Sequence, residues 1–200
     1  MKVITFDTET TGLLTDPNAR VVEIGAVKHD LITGEMISTY SSMCLPSVEY
    51  LDDSKFELCE RISGITREEI IGAAPFRDVL GDFINWVGDD LLYAWNLPFD
   101  QRMLQRYFSD IVQDTKLSTP FWRDQVRLWN ETIRYGGCWQ HLYAYMHPDR
   151  AGTKANGQIK PISMTRAMAY EGLTGNQTHR AVDDARLAAH MGHVIFHSLQ

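Results

Sequence analysis

Nowhere in this chain do apolar residues run on for the roughly 18 positions that a bilayer-spanning helix needs. Met1-Lys2 leads directly into a short strand, without the longer apolar stretch and small-residue cleavage site of a secretory signal. A cytoplasmic protein with no membrane attachment is expected. Cysteine is scarce: Cys44, Cys59 and Cys138 are odd in number and widely spaced, with no pair at zinc-ligand spacing. That argues against disulfides and points to reduced thiols. Positive charge is also short, 19 Lys and Arg against 26 Asp and Glu, for a net charge of −7. Proteins that bind by neutralising many phosphates are usually basic, so that class is disfavoured. Internal repeats and low-complexity tracts are absent. What remains is 200 residues, 44% of them hydrophobic, enough for a single domain over 1–200.

Within that chain the stretch Phe6-Asp7-Thr8-Glu9-Thr10-Thr11-Gly12 carries the strongest signal. It ends an apolar strand, Val3-Ile4-Thr5-Phe6, and residues i and i+2 of a strand share a face. Asp7 and Glu9 would project side by side, with Thr8 turned away. Two like charges held that close make sense mainly with a cation between them, and oxygen ligands suit Mg²⁺ or Mn²⁺. The plain alternative is a solvated acidic strand end. Further on, Leu91 to Asn96 reads as a second buried strand, followed by Leu97-Pro98-Phe99-Asp100. Pro98 suits the first turn of a helix. Asp100 would then sit near a helix N-terminus at the mouth of the sheet, where ligands of α/β folds gather. A third segment, Thr178-His179-Arg180-Ala181-Val182-Asp183-Asp184, leads into an Ala-rich helix and adds a histidine and further carboxylates.

In order, these segments resemble the three motifs of the DnaQ-like 3′–5′ exonucleases, the DEDDh group of the ribonuclease-H-like superfamily. The first motif matches at Phe6 to Gly12, the Asn-x-x-Phe-Asp pattern at Asn96 to Asp100, and His-x-Ala-x-x-Asp at His179, Ala181 and Asp184. Ile62-Ser63-Gly64-Ile65-Thr66 also looks like a segment of that family. The likeness covers residue 2 to about 108 and about 138 to 196, leaving a family-atypical insertion at about 109–137. Two rim positions depart from the family, with Trp95 and Ser63 standing where many members carry histidine.

The resemblance implies metal-dependent hydrolysis of phosphodiester bonds at 3′ ends, with release of nucleoside 5′-monophosphates. Asp7, Glu9, Asp100 and Asp184 would hold two Mg²⁺, with Mn²⁺ able to substitute. His179 would take the proton from the attacking water, a role suited to a side chain that titrates near neutrality. The family's spacing selects Asp184 over Asp183, which would face solvent in the first helical turn. Backbone at Thr10, Thr11 and Gly12 would meet the terminal 3′-hydroxyl, Leu13 and Ile65 the terminal base, and Asn96 would steady the strand. For Leu13 and Ile65 the alternative is core packing. Ends of single-stranded or frayed DNA are the favoured substrate, with RNA the competitor. A polymerase or another replication or repair protein is the implied partner. A non-catalytic nucleic-acid-binding or adaptor module on the same fold is the other class kept open.

Periodicity predicts strands near 2–8, 20–29, 35–44, 91–95 and 134–138. Helices are expected from Pro75, from Pro98 to about Phe108, and at about 139–146, 162–171 and 180–198. With the resemblance this gives an α/β, ribonuclease-H-like fold, a five-stranded mixed sheet flanked by α-helices. Pro148 to Pro161 reads as a loop, in and beside which Arg150, Lys154, Lys160 and Arg166 either hold strand phosphates or form a solvated face. Phe121, Trp122, Val126, Leu128, Trp129 and Ile133 suggest an extra amphipathic helix, used for packing in preference to stacking on bases or docking a partner. His190, His193 and His197 share a helical face at a spacing three zinc ligands could use, but packed or solvated histidines are expected because no acidic or cysteine ligand joins them.

Overall fold

β1 (Lys2–Thr10) alternates its side chains between two covered faces and so organises the molecule around it. It pairs antiparallel with β2 (Val21–Asp30), which pairs antiparallel with β3 (Met36–Leu45). On its other side β1 pairs parallel with β5 (Leu91–Ala94), which pairs parallel with β6 (Arg134–Cys138). The computed structural model describes residues 1–113, 127, 129–175 and 177–200, with side chains for all of these except 109–113.

Among the described residues the sheet has six strands rather than five. A two-residue strand, β4 (Ala74–Pro75), pairs parallel with Cys44 and Leu45 at the end of β3, giving the order β4-β3-β2-β1-β5-β6. So short a strand leaves no periodicity in a sequence, and its proline suits an edge because it has no N–H to offer a further strand.

Helices cover both faces. Among the described residues they include α1 (Asp53–Ser63), α2 (Arg67–Gly72), α3 (Phe76–Val87), α4 (Leu97–Gln113), α5 (Trp139–Met146), the single turn α6 (Pro148–Ala151), α7 (Met164–Tyr170) and α8 (Ala181–Ser198). Periodicity does not reveal the first two. α1 is defined by its ends instead: the Asp52 carboxylate accepts the Lys55 N–H at 3.0 Å, and Gly64 closes the helix in the left-handed region. α2 opens on a capping box formed by Thr66 and Glu69. Segment 148–161 is more ordered than a plain loop, since α6 is followed by a small hairpin bridged between Thr153 and Ile159.

Strand alternation separates two cores. Ile4, Phe6, Ile24 and Ala26 pack with Val79, Leu80 and Phe83 of α3 and Met103 and Leu104 of α4. Val3, on the opposite face, belongs with Trp139 and Tyr143 of α5, Met164 and Met168 of α7, and Ala188, Met191 and Ile195 of α8. Trp129 and Ile133 are buried in the first core, whereas Phe121, Trp122, Val126 and Leu128 lie outside the described residues. His193 and His197 engage the carbonyls of Leu31 and Ile32 at 2.9 and 2.8 Å, which ties α8 to the β2–β3 connection. They do not form a three-histidine metal cluster among the described residues. No described helix is long and apolar enough to cross a membrane.

Candidate active site

The face of β1 that carries Val3 turns its far end towards α8, and Asp7 and Glu9 lie on that face. In register, Asp7 stands opposite Gly25 of β2 and Glu9 opposite Glu23. Gly25 permits the close packing that follows. A Cβ built there would fall 2.0 Å from the Val182 nitrogen and 2.1 Å from the Ala181 carbonyl carbon, so only glycine lets the start of α8 rest on the strand. The Glu9–Glu23 pair would repel across the strands. Glu23 is answered by Arg180, whose guanidinium donates to it at 2.9 and 3.2 Å, and by the Ala181 N–H at 2.9 Å. These contacts fix the entry to α8, and with it His179 and Asp184.

Thr8 points to the other face, towards α4. β1 and β5 stay paired only at Ile4–Leu92 and Thr5–Tyr93, then part company. Beyond that point the Thr8 N–H and hydroxyl both donate to Asp100, at 3.1 and 2.8 Å. Asp100, in the first turn of α4, is only 2% exposed. On the α8 side, Asp184 is also 2% exposed and accepts from the Thr178 N–H at 3.2 Å and the Gln177 amide at 3.1 Å. Asp183 instead faces solvent and accepts from Arg186 at 2.8 Å. His179 holds a φ of 54°, uncommon for a residue with a side chain, and its Nδ1 lies 4.0 Å from Asp184.

This is an electrostatically expensive arrangement in the protein alone. Burial, reinforced by Asp100, Glu9 and Asp184, holds the Asp7 carboxyl well above the usual range. Burial, then Asp184 and Glu23, pushes Glu9 up to about 8, with Arg180 pulling the other way. Burial lifts Asp100 to about 7 against the two Thr8 hydrogen bonds, and it also raises Asp184 against the Gln177 bond. The carboxylates line or adjoin a cleft of about 420 Å³ whose other walls include Thr10, Gly12, Leu13, Leu58, Ile62, Phe99 and Gln177.

The nucleotide-contact residues expected from the sequence separate into two groups. Thr10, Gly12 and Leu13 line the cleft, with Leu13 68% exposed. Thr11 is buried with its N–H donated to the Arg20 carbonyl at 2.8 Å, and Asn96 is exposed but does not line the cleft. Ile65 stands in a third apolar cluster with Val22, Phe56, Cys59 and Ile70, fully buried. That position matches core packing, the alternative kept open for it, and the apolar side chains of that region that reach the cleft are Leu58 and Ile62, one turn apart on α1. Sequence pattern misses them because it misses α1 itself. It misses Thr8, Gln177, Glu23 and Arg180 because their roles are hydrogen bonds that no local spacing encodes.

The family model RNase_T, described as Exonuclease, matches residues 4–191. The chain belongs to this exonuclease family. Among its relatives, the DNA polymerase III subunit epsilon of Rickettsia conorii (strain ATCC VR-613 / Malish 7) is 32% identical over 183 residues, 89% of this chain and 76% of that protein. The DNA polymerase III PolC-type of Clostridium perfringens (strain 13 / Type A) is 27% identical over 186 residues, which are 93% of this chain but 10% of that protein. The chain thus spans about a tenth of the length of that PolC-type relative. The nuclease domain of 3′hExo, a DEDDh family member solved bound to rAMP, superposes with a TM-score of 0.68 at 16% identity, covering 98% of this chain and 92% of that one. That likeness shows a shared fold. Over residues 4–191 the chain carries a domain of this exonuclease family, and its site can be set against the divalent metal that the motif resemblance implies. Its donor set fits such a metal. Ligand atoms of Glu9, His179 and Asp184 lie within 4.8 Å of one another, and hard carboxylate oxygens dominate the neighbourhood.

Proposed function

We propose that residues 1–200 act as one exonuclease domain that removes nucleotides from the 3′ ends of single-stranded or frayed DNA. The observation that carries this reading is the convergence of Asp7, Glu9, Asp100, His179 and Asp184, from three distant segments, around one open cleft with an apolar wall. Asp7, Glu9, Asp100 and Asp184 would hold two Mg²⁺, with Mn²⁺ as a substitute. When bound, the ions supply positive charge for the attacking and leaving oxygens of an in-line displacement.

The remaining roles belong to the chain's own groups. His179, exposed at the cleft, receives the proton of the attacking water. The water oxygen bonds to the terminal phosphorus as the bond to the 3′-oxygen of the preceding nucleotide breaks; that oxygen takes up a proton from solvent as the new 3′-hydroxyl, and a nucleoside 5′-monophosphate is released. Thr8 orients Asp100, and Thr178 and Gln177 orient Asp184. Leu13, Leu58 and Ile62 contact the terminal base through apolar surface, which tolerates every base, while Thr10 and Gly12 lie where the 3′-hydroxyl would sit. The names of the DNA polymerase III relatives favour DNA and a polymerase partner. The 3′hExo neighbour bound to rAMP motivates an RNA arm in the test.

The test uses 5′-labelled single-stranded DNA and matched RNA with Mg²⁺, beside EDTA and Asp7→Ala controls. A ladder shortening from the 3′ end, absent from both controls, is expected, faster on DNA. Faster RNA decay reverses the substrate assignment. No shortening of either polymer by folded protein, with Mn²⁺ also tried, defeats the catalytic reading in favour of a binding module.

A further inference from the structure

A second cavity, of about 480 Å³, lies against α5 and the 152–160 hairpin and shares no lining residue with the cleft. Its walls are His141, Ala144, Tyr145, Lys154, Gln158 and Lys160, with Gly157, Ile159 and Pro161 completing them. Hairpin geometry explains the set. The Lys154 N–H donates to the Gln158 carbonyl at 2.7 Å and the Lys160 N–H to the Gly152 carbonyl at 3.0 Å, with Thr153 bridged to Ile159. A period of two then places Lys154, Gln158 and Lys160 on one face, while Ile159 packs against the second core.

Charge distinguishes this cavity from the acidic cleft. The chain carries a net −7, yet no carboxylate lines the cavity, and neither lysine has an ion-pair partner among the described residues. The neighbouring Arg150 is different, being paired with Glu171 and donating to the Tyr143 hydroxyl at 2.7 Å. Tyr145, 72% exposed, adds an aromatic face to the two ammonium groups. Ammonium groups beside an exposed ring suit a nucleotide, phosphate on the lysines and base on the tyrosine. The cavity volume is in the range of small-ligand sites.

Hydrogen bonds tie elements beside the cavity to elements beside the cleft. Gln140, on the same helix as His141, donates its N–H to the Trp95 carbonyl at 2.9 Å and its amide to the Ile162 carbonyl at 2.9 Å. Further on, the Thr165 hydroxyl donates to Gln177, which holds Asp184. We infer that this Lys154–Lys160–Tyr145 cavity is an upstream strand site, taking a nucleotide of the same nucleic-acid strand whose 3′ end occupies the cleft. The inference rests on the exonuclease reading for its substrate. It explains how an acidic enzyme gains purchase on a polyanion, with local cations offset from the catalytic carboxylates.

The experiment compares the wild type with Lys154→Gln/Lys160→Gln and with Tyr145→Ala. A mononucleotide ester, thymidine 5′-monophosphate p-nitrophenyl ester, reports on the cleft alone, and a labelled single-stranded oligonucleotide reports on cleft and cavity together. The expected result is unchanged ester hydrolysis with a roughly tenfold higher oligonucleotide KM in the double-lysine variant. The slope of log affinity against log salt should fall by about 1.4, because each lysine neutralises one of the two phosphates that flank the seated nucleotide. Tyr145→Ala should raise the oligonucleotide KM without altering that slope. An unchanged oligonucleotide KM overturns the inference, as does an equal rise for ester and oligonucleotide. A cavity serving free nucleotide would bind dAMP in the wild type but not the double variant and leave the oligonucleotide KM unchanged, which also overturns it. If the wild type cleaves neither substrate, the catalytic reading fails separately. Oligonucleotide anisotropy in EDTA then decides the cavity: weaker binding by the double variant supports it, and equal binding overturns it.

Discussion

Replacing Gly25 with alanine is a sharp perturbation that leaves every proposed catalytic side chain unsubstituted. The added Cβ would meet the Val182 nitrogen at 2.0 Å, the Ala181 carbonyl carbon at 2.1 Å and the Val182 Cα at 2.5 Å, where ordinary contact begins at 3.4 Å. All three obstacles belong to the backbone at the start of α8, so no side chain can swing aside. Either β2 or the helix must retreat by more than an ångström. Overpacking of this kind costs about 1–3 kcal/mol, and a backbone obstacle places Gly25→Ala near ~3 kcal/mol. For a chain of 200 residues that corresponds to a fall in Tm of about 6–12 °C. Function should suffer more than stability. The retreat would loosen the Ala181 and Arg180 bonds to Glu23 and carry His179 and Asp184 away from Asp7 and Glu9. A misplacement of ~1 Å in a catalytic constellation costs about 100-fold in turnover. Thermal unfolding by circular dichroism and turnover on labelled single-stranded DNA provide the two readouts. Gly72→Ala is the control, because a Cβ there meets nothing within 4 Å. Wild-type Tm and turnover in Gly25→Ala would refute the claim that this glycine sets the seat of α8.

Two further predictions follow from the site and its wall. Glu9 is raised from 4.5 to about 8 by burial and neighbouring carboxylates, and Asp100 from 3.8 to about 7 mainly by burial. Between those limits the unfolded chain is ionised while the folded chain retains protons, so stability falls as pH rises. In EDTA, Tm should therefore contain a component that declines from about pH 5 to about pH 8, and Mg²⁺ should raise Tm more at the upper end. Differential scanning fluorimetry in both conditions checks this, and a metal effect larger at the acid end would contradict it. On the wall, Ile65→Ala should cost about 2–5 kcal/mol as a core truncation while sparing KM in the molecules that stay folded. Ile62→Ala should keep Tm and raise the oligonucleotide KM roughly fivefold, since less apolar surface is left to cover the base. The opposite pattern would return Ile65 to the cleft.

Sequence pattern reaches those parts of the molecule whose cause is local. Alternation in Val3 to Glu9 reports both faces of β1, and the same period that sets Asp7 beside Glu9 sends Thr8 towards Asp100. The helix at 139–146 agrees with its expected bounds because its apolar spacing decides it. α1 escapes because Phe56 and Cys59 are its only buried apolar residues, though Asp52 and Gly64 are legible as cap signals. β4 is defined by its neighbour alone. The distinction between Ile62 and Ile65 depends on a helix end and a turn, which no periodicity resolves over so short a span. Glu23 and Arg180 are 157 positions apart, and Thr8 and Asp100 are 92 apart. Motif resemblance finds the acids, but only the packed sheet shows what holds them.

Those separations also govern when the chain becomes chemically competent. While it is still emerging from a ribosome, residues 7, 9, 100 and 184 are strangers, and nothing short of the finished sheet draws the four acids together. Synthesis of Asp184 is not itself sufficient, because α8 must still settle over Gly25 and lock to Glu23. On the proposed reading, a chain terminated before α8 lacks Asp184 and cannot assemble the site. The proposed hydrolytic capacity would then arrive in one step, with the docking of α8.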